Sequence, residues 1–288
     1  MRFRTLKQLV EVCTSSQMSI AEVMLADQAK ESGKTPEQEF KKMLQYYQVM
    51  KSAVEKGLTE DTTSRSGLTG KDAQRVMSQL AVSEASVGKE ACTAMAYALA
   101  VSEVNASMGR IIATPTAGSS GIIPGVFVSA QQRFGWDDDH MVMGLFCAGA
   151  IGYVIANNSF VSGAEGGCQA EVGSAIGMAA GAMVELRGGT PAQAIHAVGL
   201  ALKNTLGLIC DPVGGLVEIP CIVRNGFGAV NALAAADMAL AGVRSVIPSD
   251  EVVQVMYEVG TAMPDKHRET AKGGLAQTPT GKKIMEDL

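Results

Sequence analysis

Three cysteines are the residues of this chain best suited to chemistry. Cys168 lies in the stretch SGAEGGCQAEVGSA, and Cys210 and Cys221 lie at the two ends of CDPVGGLVEIPC. Thiolates are the usual ligands of iron–sulfur clusters, and neighbouring glycines let backbone amides approach the cluster sulfides. Cysteine is also a small residue that packs in apolar cores, and this spacing matches no compact cluster or zinc pattern. The three residues alone therefore leave both interpretations open.

A second glycine-rich segment, ATPTAGSSGIIPG, runs from Ala113 to Gly125. Its turn T-A-G-S-S-G precedes an apolar run and offers backbone N–H groups at a helix start, which suits an anion or a substrate carboxylate. It could equally be a tight connection between two core helices. The chain has no G-x-G-x-x-G and no G-x-x-x-x-G-K-[ST] motif, which argues against a nucleotide cofactor.

The composition indicates closely packed helices. Apolar residues make up 47% of the 288 residues and aromatic residues only 5%, with 32 glycines and 16 methionines. A net charge of −5 without a basic run argues against a partner nucleic acid. The first residues, MRFRTLKQLVEVC, lack the features of a signal peptide, and six cysteines without such a signal indicate reduced thiols. We therefore expect a cytoplasmic protein.

The longest apolar run, MVMGLFCAGAIGYVIA, extends from Met141 to Ala156. A membrane span needs about 20 apolar residues. Because this run is shorter, we expect it to be a buried core helix and expect no membrane association.

The chain is expected to be mainly α-helical and to have two parts. Residues 1–60 carry dense charge and amphipathic periodicity, with capping boxes at Ser19 and Thr35, and predict an N-terminal helical arm. A polar loop, 60–70, leads into residues 61–288, which predict a single helical catalytic domain whose glycine-rich loops carry the three cysteines. Further helices are predicted at 71–80, 89–107, 174–186, 228–240 and 250–261, and weak strand signals occur at 111–113 and 216–219.

Nearly the whole chain resembles the iron–sulfur-dependent L-serine dehydratases (L-serine ammonia-lyases), in particular the α subunit of the two-subunit bacterial form. The resemblance rests on ATPTAGSSGIIPG, SGAEGGCQAEVGSA, CDPVGGLVEIPC followed by RN, and the tail MYEVGTAMPDKHRETAKGGLAQTPTG. It implies that Cys168, Cys210 and Cys221 bind a 4Fe-4S cluster and that a separate β subunit completes the enzyme. It also implies a role in amino-acid catabolism and gluconeogenesis.

The resemblance implies α,β-elimination of water from L-serine, giving pyruvate and ammonia. Three cysteines leave one iron of a cubane without a thiolate, and that iron would act as the Lewis acid for the departing hydroxyl. Six residues are the candidates for substrate contacts and catalysis: Asn105, Thr116, Ser119, Ser120, Gly121 and Glu171. The same residues have structural interpretations, since Asn105 could cap a helix and Glu171 could begin one. The general base is not identified and could lie on the β subunit.

One departure from similar proteins concerns the text TGKDAQR. Relatives usually have glycine where this chain has Lys71, and lysine where it has Arg75, so the role of a lysine there is in question. Two alternatives to serine dehydration stay open. One is a cluster-dependent lyase acting on cysteine or another small amino acid, and the other is a non-catalytic iron–sulfur sensor or scaffold.

Overall fold

The computed structural model describes all 288 residues, and its regular structure is helical. The only β pairing is an isolated bridge between Cys210 and Arg268. The helices, in chain order, are α1 (Leu6–Ser16), α2 (Ile20–Ser32), α3 (Pro36–Thr59), α4 (Asp72–Val82), α5 (Lys89–Ala106), α6 (Ile122–Phe134), α7 (Asp138–Asn158), α8 (Gly163–Gly166), α9 (Ser174–Leu186), α10 (Pro191–Lys203), α11 (Cys221–Leu240), α12 (Ser249–Ala262) and α13 (Pro279–Asp287). The mainly α prediction is confirmed.

Helix starts agree with the capping signals in the sequence. Ser19 accepts a hydrogen bond from the Glu22 N–H while Glu22 accepts one from the Ser19 N–H, and Thr35 forms the same reciprocal pair. The segments with weak strand signals, 111–113 and 216–219, form no strands, as the expected mostly helical body implies.

Helix α11 begins at Cys221, seven residues before the predicted start at 228. The glycines at Gly226 and Gly228 lower intrinsic helix propensity and hid this start. In the fold they allow close packing, since a Cβ at Gly228 would lie 2.7 Å from Ile122 Cδ1 and one at Gly226 would lie 3.1 Å from Met95 Cγ. Tertiary packing against α5 and α6 therefore overrides the local preference.

Helix α7 contains the apolar run and packs against α2, α3 and α9. It has 21 residues and is long and apolar enough to cross a membrane, but 67% of its apolar window is buried inside the protein. Glycine again shortens the packing distance, because a Cβ at Gly144 would lie 2.7 Å from Leu186 Cδ1. The expectation of a buried core helix agrees with this packing.

Distant carboxylates fix the N-terminal helices to the rest of the fold. Asp250 accepts hydrogen bonds from the N–H groups of Leu6 (2.7 Å) and Lys7 (2.9 Å) at the start of α1. Glu185 accepts from the first two N–H groups of α2, at 2.7 and 2.9 Å. Side chains of α1 to α3 also belong to the main apolar core. The division at residue 60 into an arm and a catalytic domain stays a prediction.

Glu103, on α5, accepts hydrogen bonds from the first N–H groups of α4. Its carboxylate accepts from the N–H groups of Asp72 (2.6 Å) and Ala73 (3.4 Å) and is almost fully buried. Burial raises the pKa of Glu103 to about 7, although the two N–H donors act in the opposite direction. Its ionised form is therefore costly in the folded chain.

Replacing Glu103 by Gln is expected to change how stability depends on pH. Because the folded pKa is raised, the stabilising contribution of the protonated carboxyl is present below the ordinary value of 4.5 and is lost as the pH rises through about 7. We expect the unfolding free energy of the wild type to fall, relative to Glu103→Gln, by at most about 3 kcal/mol across that interval. Urea unfolding at several pH values measures this, with Glu84→Gln as the exposed control. Parallel profiles for wild type and Glu103→Gln would contradict it.

Candidate active site

The fold brings the three cysteines together from three segments. Cys168 precedes a π-helical turn that leads into α9, Cys210 follows α10 in an extended segment, and Cys221 is the first residue of α11. All three side chains are buried and none forms a disulfide. Cys210 bonds Cys168, and Cys168 acts electrostatically on Cys221, so residues 42 and 11 positions apart in the sequence share one site.

The thiols influence one another electrostatically. A hydrogen bond from Cys210 lowers the pKa of Cys168, and the nearby Arg224 guanidinium acts in the same direction. The same hydrogen bond, together with burial, raises the pKa of Cys210. Burial, followed by the charge of Cys168, raises the pKa of Cys221. Cys168 is therefore the thiol best prepared to be a thiolate, because it has a cation beside it.

Glycines let the backbone approach the thiols closely. A Cβ at Gly163 would lie 2.9 Å from Cys210 Sγ and 3.2 Å from Glu171 Oε2. Gly167, directly before Cys168, has φ +76°, a conformation that L side chains rarely adopt. Larger residues at these two positions would therefore displace Cys210 or the turn before Cys168.

The donor set suits a cluster better than a single ion. No group of three or more His, Cys, Asp or Glu side chains is arranged to hold one metal ion. In a cubane each thiolate binds a different iron, so its sulfurs need not converge on one point. Three unbridged thiols, the surrounding glycines and a buried His267 Nδ1 without a partner fit such a group.

Glu171 connects the cysteines to the loop between α5 and α6. Its carboxylate accepts hydrogen bonds from the Thr116 hydroxyl and from the Gly118 N–H. Thr116 Oγ1 also lies 3.2 Å from Ser119 Oγ, so the three polar side chains lie side by side. Burial raises the pKa of Glu171, and the charge of Glu269 adds to this effect. The sequence-predicted residues Thr116, Ser119 and Glu171 are therefore neighbours.

Asn225 fixes the position of this loop relative to α11. Its side-chain oxygen accepts from the Gly121 N–H at 2.9 Å, and its amide nitrogen donates to the carbonyls of Gly118 (2.7 Å) and Cys221 (2.9 Å). The side chain is buried. One amide thus connects the candidate substrate loop to a cysteine.

Some backbone N–H groups of this loop have partners within the protein. The Gly121 N–H donates to Asn225 at 2.9 Å, and the Ser120 N–H donates to the Ala117 carbonyl at 3.3 Å. Thr116 is half-exposed, whereas Ser119 and Ser120 are buried. An anion-binding role for the other backbone N–H groups of the loop stays a prediction.

Two predicted residues have different surroundings. Asn105 is half-buried in the last turn of α5, and the structure records no hydrogen bond between its amide and the α5–α6 loop. Ser120 is buried, and its hydroxyl donates to the Ala117 carbonyl at 2.7 Å. Ser120 thus stabilises the turn. The roles assigned to all six candidate residues stay predictions.

Arg224 and Asp211 were missed by sequence reasoning. Arg224 donates to Asp211 Oδ1 and to the Ile209 carbonyl, both at 2.9 Å. Asp211 is almost fully buried, and its other oxygen accepts from the Leu275 N–H at 2.8 Å. The pair follows Cys210 and Cys221 closely in sequence, and that proximity was the available signal.

Glu269 is a third residue that was missed. Its N–H donates to the Cys210 carbonyl at 2.9 Å, and its φ of 62° lies in the left-handed region. Its carboxylate is exposed and has no ion pair. Non-glycine residues held in this region are concentrated at functional sites. The strained segment places an unpaired negative charge beside the thiols.

The departure at Lys71 has a backbone explanation. Lys71 has φ 64° and ψ 12°, a conformation that glycine adopts without strain. Its ammonium pairs with Asp61 at 3.0 Å, while Arg75 is exposed and pairs with Asp72. Both side chains thus take part in local ion pairs rather than in the cysteine site.

The fold and the site define a helical protein with a buried three-cysteine centre beside a hydroxyl-bearing loop. The chain belongs to the serine dehydratase alpha chain family, whose model matches residues 15–276.

Similar proteins agree in name and differ in length. The chain is 50% identical over 286 residues to the probable L-serine dehydratase alpha chain of Bacillus subtilis, covering 99% of this chain and 95% of the relative. It is 44% identical to the L-serine dehydratase alpha chain of Peptoniphilus asaccharolyticus, covering 99% and 97%. The L-serine dehydratase TdcG of Escherichia coli is 37% identical, and the match covers 95% of this chain but only 61% of that relative.

Replacing Asn225 by Leu is expected to destabilise the site. The change leaves the Gly118 carbonyl and the Gly121 N–H group without the Asn225 side chain as their partner, and we expect it to reduce the unfolding free energy by about 2 to 4 kcal/mol. Urea unfolding measures this, and Asn231→Leu, on the same helix, is the matched control. Equal stability of the two variants would contradict the role of Asn225.

Proposed function

We propose that this chain is the catalytic alpha chain of an L-serine dehydratase, which eliminates water from L-serine and yields pyruvate and ammonia. The proposal rests on one observation. In a chain of the alpha-chain family, three buried cysteines lie beside Glu171 and Thr116. Elimination breaks the Cα–H and Cβ–O bonds of serine. The resulting 2-aminoacrylate tautomerises and hydrolyses to the products.

Cys168, Cys210 and Cys221 are proposed to hold a 4Fe-4S cluster. When bound, such a cluster would supply a Lewis acid for departure of the substrate hydroxyl. Cys168 supports this role because its pKa is lowered by the Cys210 hydrogen bond and by Arg224. Gly163 contributes by letting the backbone approach Cys210 and Glu171 closely.

The neighbouring polar side chains of Thr116, Ser119 and Glu171 are proposed to bind and orient the substrate. Ser119 is held by donating to the Thr114 carbonyl at 3.1 Å, which fixes the lone pairs of its hydroxyl. Thr116 is the half-exposed member and can reach a bound amino acid. Glu171, buried behind it, holds the Thr116 hydroxyl in one orientation.

A second subunit is part of the proposal. Two relatives that match this chain end to end are named alpha chains, whereas the Escherichia coli enzyme carries more than a third of its length outside the match. That additional length corresponds to a beta chain that would assemble with this one into a heterodimer. We further propose that the enzyme acts in the cytoplasm.

The substrate range is the point where the alternatives differ. Relatives of this chain are named as L-serine dehydratases, and none of those described above is named as a sensor. A lyase acting on cysteine or another small amino acid would use the same thiols and loop. Pyruvate formation from L-serine, compared with that from L-cysteine, separates the two.

Replacing any one of Cys168, Cys210 and Cys221 by Ser is expected to abolish cluster binding and serine turnover. Anaerobic reconstitution of the wild type should give about four irons per chain and broad visible absorption. The control is Cys92→Ser, since Cys92 is a buried cysteine on α5, outside the three segments that carry the site cysteines. Iron analysis and a pyruvate assay with the beta chain present give the readouts. Full iron content in all three site variants would contradict the assignment.

Replacing Thr116 by Val is expected to weaken serine binding without loss of iron. The change removes the hydroxyl that bonds Glu171 and faces the site, so we expect KM for L-serine to rise about 10-fold or more. Thr116→Ser keeps the hydroxyl and should behave nearly as the wild type. Equal KM values for the Val and Ser variants would contradict a substrate-orienting role.

A further inference from the structure

An apolar face lies around the loop before α4, the end of α5 and the start of α11, next to the candidate active site. We call it the α4/α11 face, and its exposed apolar side chains are Leu68, Met108, Val223 and Phe227. Phe227 and Met108 are 72% and 78% exposed. Single exposed apolar residues are ordinary, but a contiguous group of them marks a surface that binds another protein.

Hydrogen bonds hold the segments of this face together. The Arg65 N–H donates to the Ala106 carbonyl at the end of α5, at 3.1 Å. The Ser66 N–H and hydroxyl donate to Glu218, which lies just before α11. The loop that carries Leu68 therefore joins the end of α5, beside Met108, to the start of α11.

A groove extends the face between α4 and α5. It is a cavity of about 630 Å³ lined by Val76, Leu80, Val87, Cys92 and Met95 together with polar residues. Because a Cβ on Gly226 would lie 3.1 Å from Met95 Cγ, the groove borders α11 where Phe227 projects. The face thus combines projecting apolar side chains with a recess that can receive those of a partner.

The charges near the face favour an acidic partner surface. Arg65 and Arg110 flank Leu68 and Met108, are exposed, and form no ion pair within this chain. The chain as a whole carries a net charge of −5. Unpaired arginines at the margin of an apolar surface are suited to steer and orient a partner with carboxylates at the corresponding positions.

We propose that the α4/α11 face is the docking surface for the beta chain of the enzyme, an apolar surface with an acidic rim. This inference rests on the proposed function. In the Escherichia coli relative, the matched part and more than a third of additional length belong to one chain, which keeps the additional length next to the matched part. Because α11 begins at Cys221, a subunit docked at Val223 and Phe227 would also reach the edge of the cysteine site.

The test uses the full chain co-expressed with the beta chain of the same organism. The double variant Phe227→Ser/Met108→Ser removes two of the most exposed apolar side chains of the face. The matched control is Val246→Ser, because Val246 is 87% exposed and lies beyond the end of α11, roughly 20 Å along the helix from Phe227. Co-purification and the dissociation constant from analytical ultracentrifugation are measured, with iron content and thermal denaturation to verify folding.

We expect the double variant to raise the dissociation constant at least about tenfold, with folding and iron content unchanged, and Val246→Ser to bind as the wild type. Wild-type affinity in the double variant, or equal weakening by Val246→Ser, would overturn the assignment of this face. A self-dimer of the wild type that the double variant loses, with beta-chain binding intact, would assign the face to a second copy and also overturn it. Full serine turnover by this chain alone, without any beta-chain binding, would instead refute the two-chain part of the proposed function.

Discussion

The candidate site depends on one buried amide. Asn225 uses its oxygen and both amide hydrogens to bond Gly118, Gly121 and Cys221. A buried donor or acceptor without a partner costs about 1 to 3 kcal/mol, so none of these bonds can be given up cheaply. The cysteine at the start of α11 and the loop before α6 therefore hold a fixed relative position, and Glu171 meets both Thr116 and the thiols as a result.

Close approach of the backbone is the second condition that the site imposes. A Cβ on Gly118 would meet the Glu171 carboxylate, and one on Gly163 would meet Cys210. Glycine also lets α6 pack closely against α5, since a Cβ on Gly125 would lie 2.7 Å from the backbone nitrogen of Ala98. Because glycine has no Cβ, it lets helices pack closely and lets the backbone approach the thiols.

Local signals in the sequence were sufficient for the helical class, for the capping boxes at Ser19 and Thr35, and for selecting the three cysteines as a group. They could not reveal contacts between distant segments. Asp250 caps α1 across 244 residues and Glu185 caps α2 across 165 residues. Asn225 was likewise invisible, because an asparagine inside a helix carries no local sign of three partners elsewhere.

Charge balance explains why this arrangement suits a cationic group. The cysteine site contains three thiols and lies beside the carboxylates of Glu171 and Glu269. The cation next to the thiols, Arg224, is already paired with Asp211. Burial opposes ionisation here and the neighbouring negative charges add to this effect, so the pKa values of Glu171 and Cys221 are raised. Iron ions bound by the thiolates, and the ammonium of an amino-acid substrate, would each offset part of that charge. Asn225 and the Asp211–Arg224 pair hold the thiols and carboxylates close together. The electrostatic repulsion among these groups therefore favours binding of a positive charge in the site.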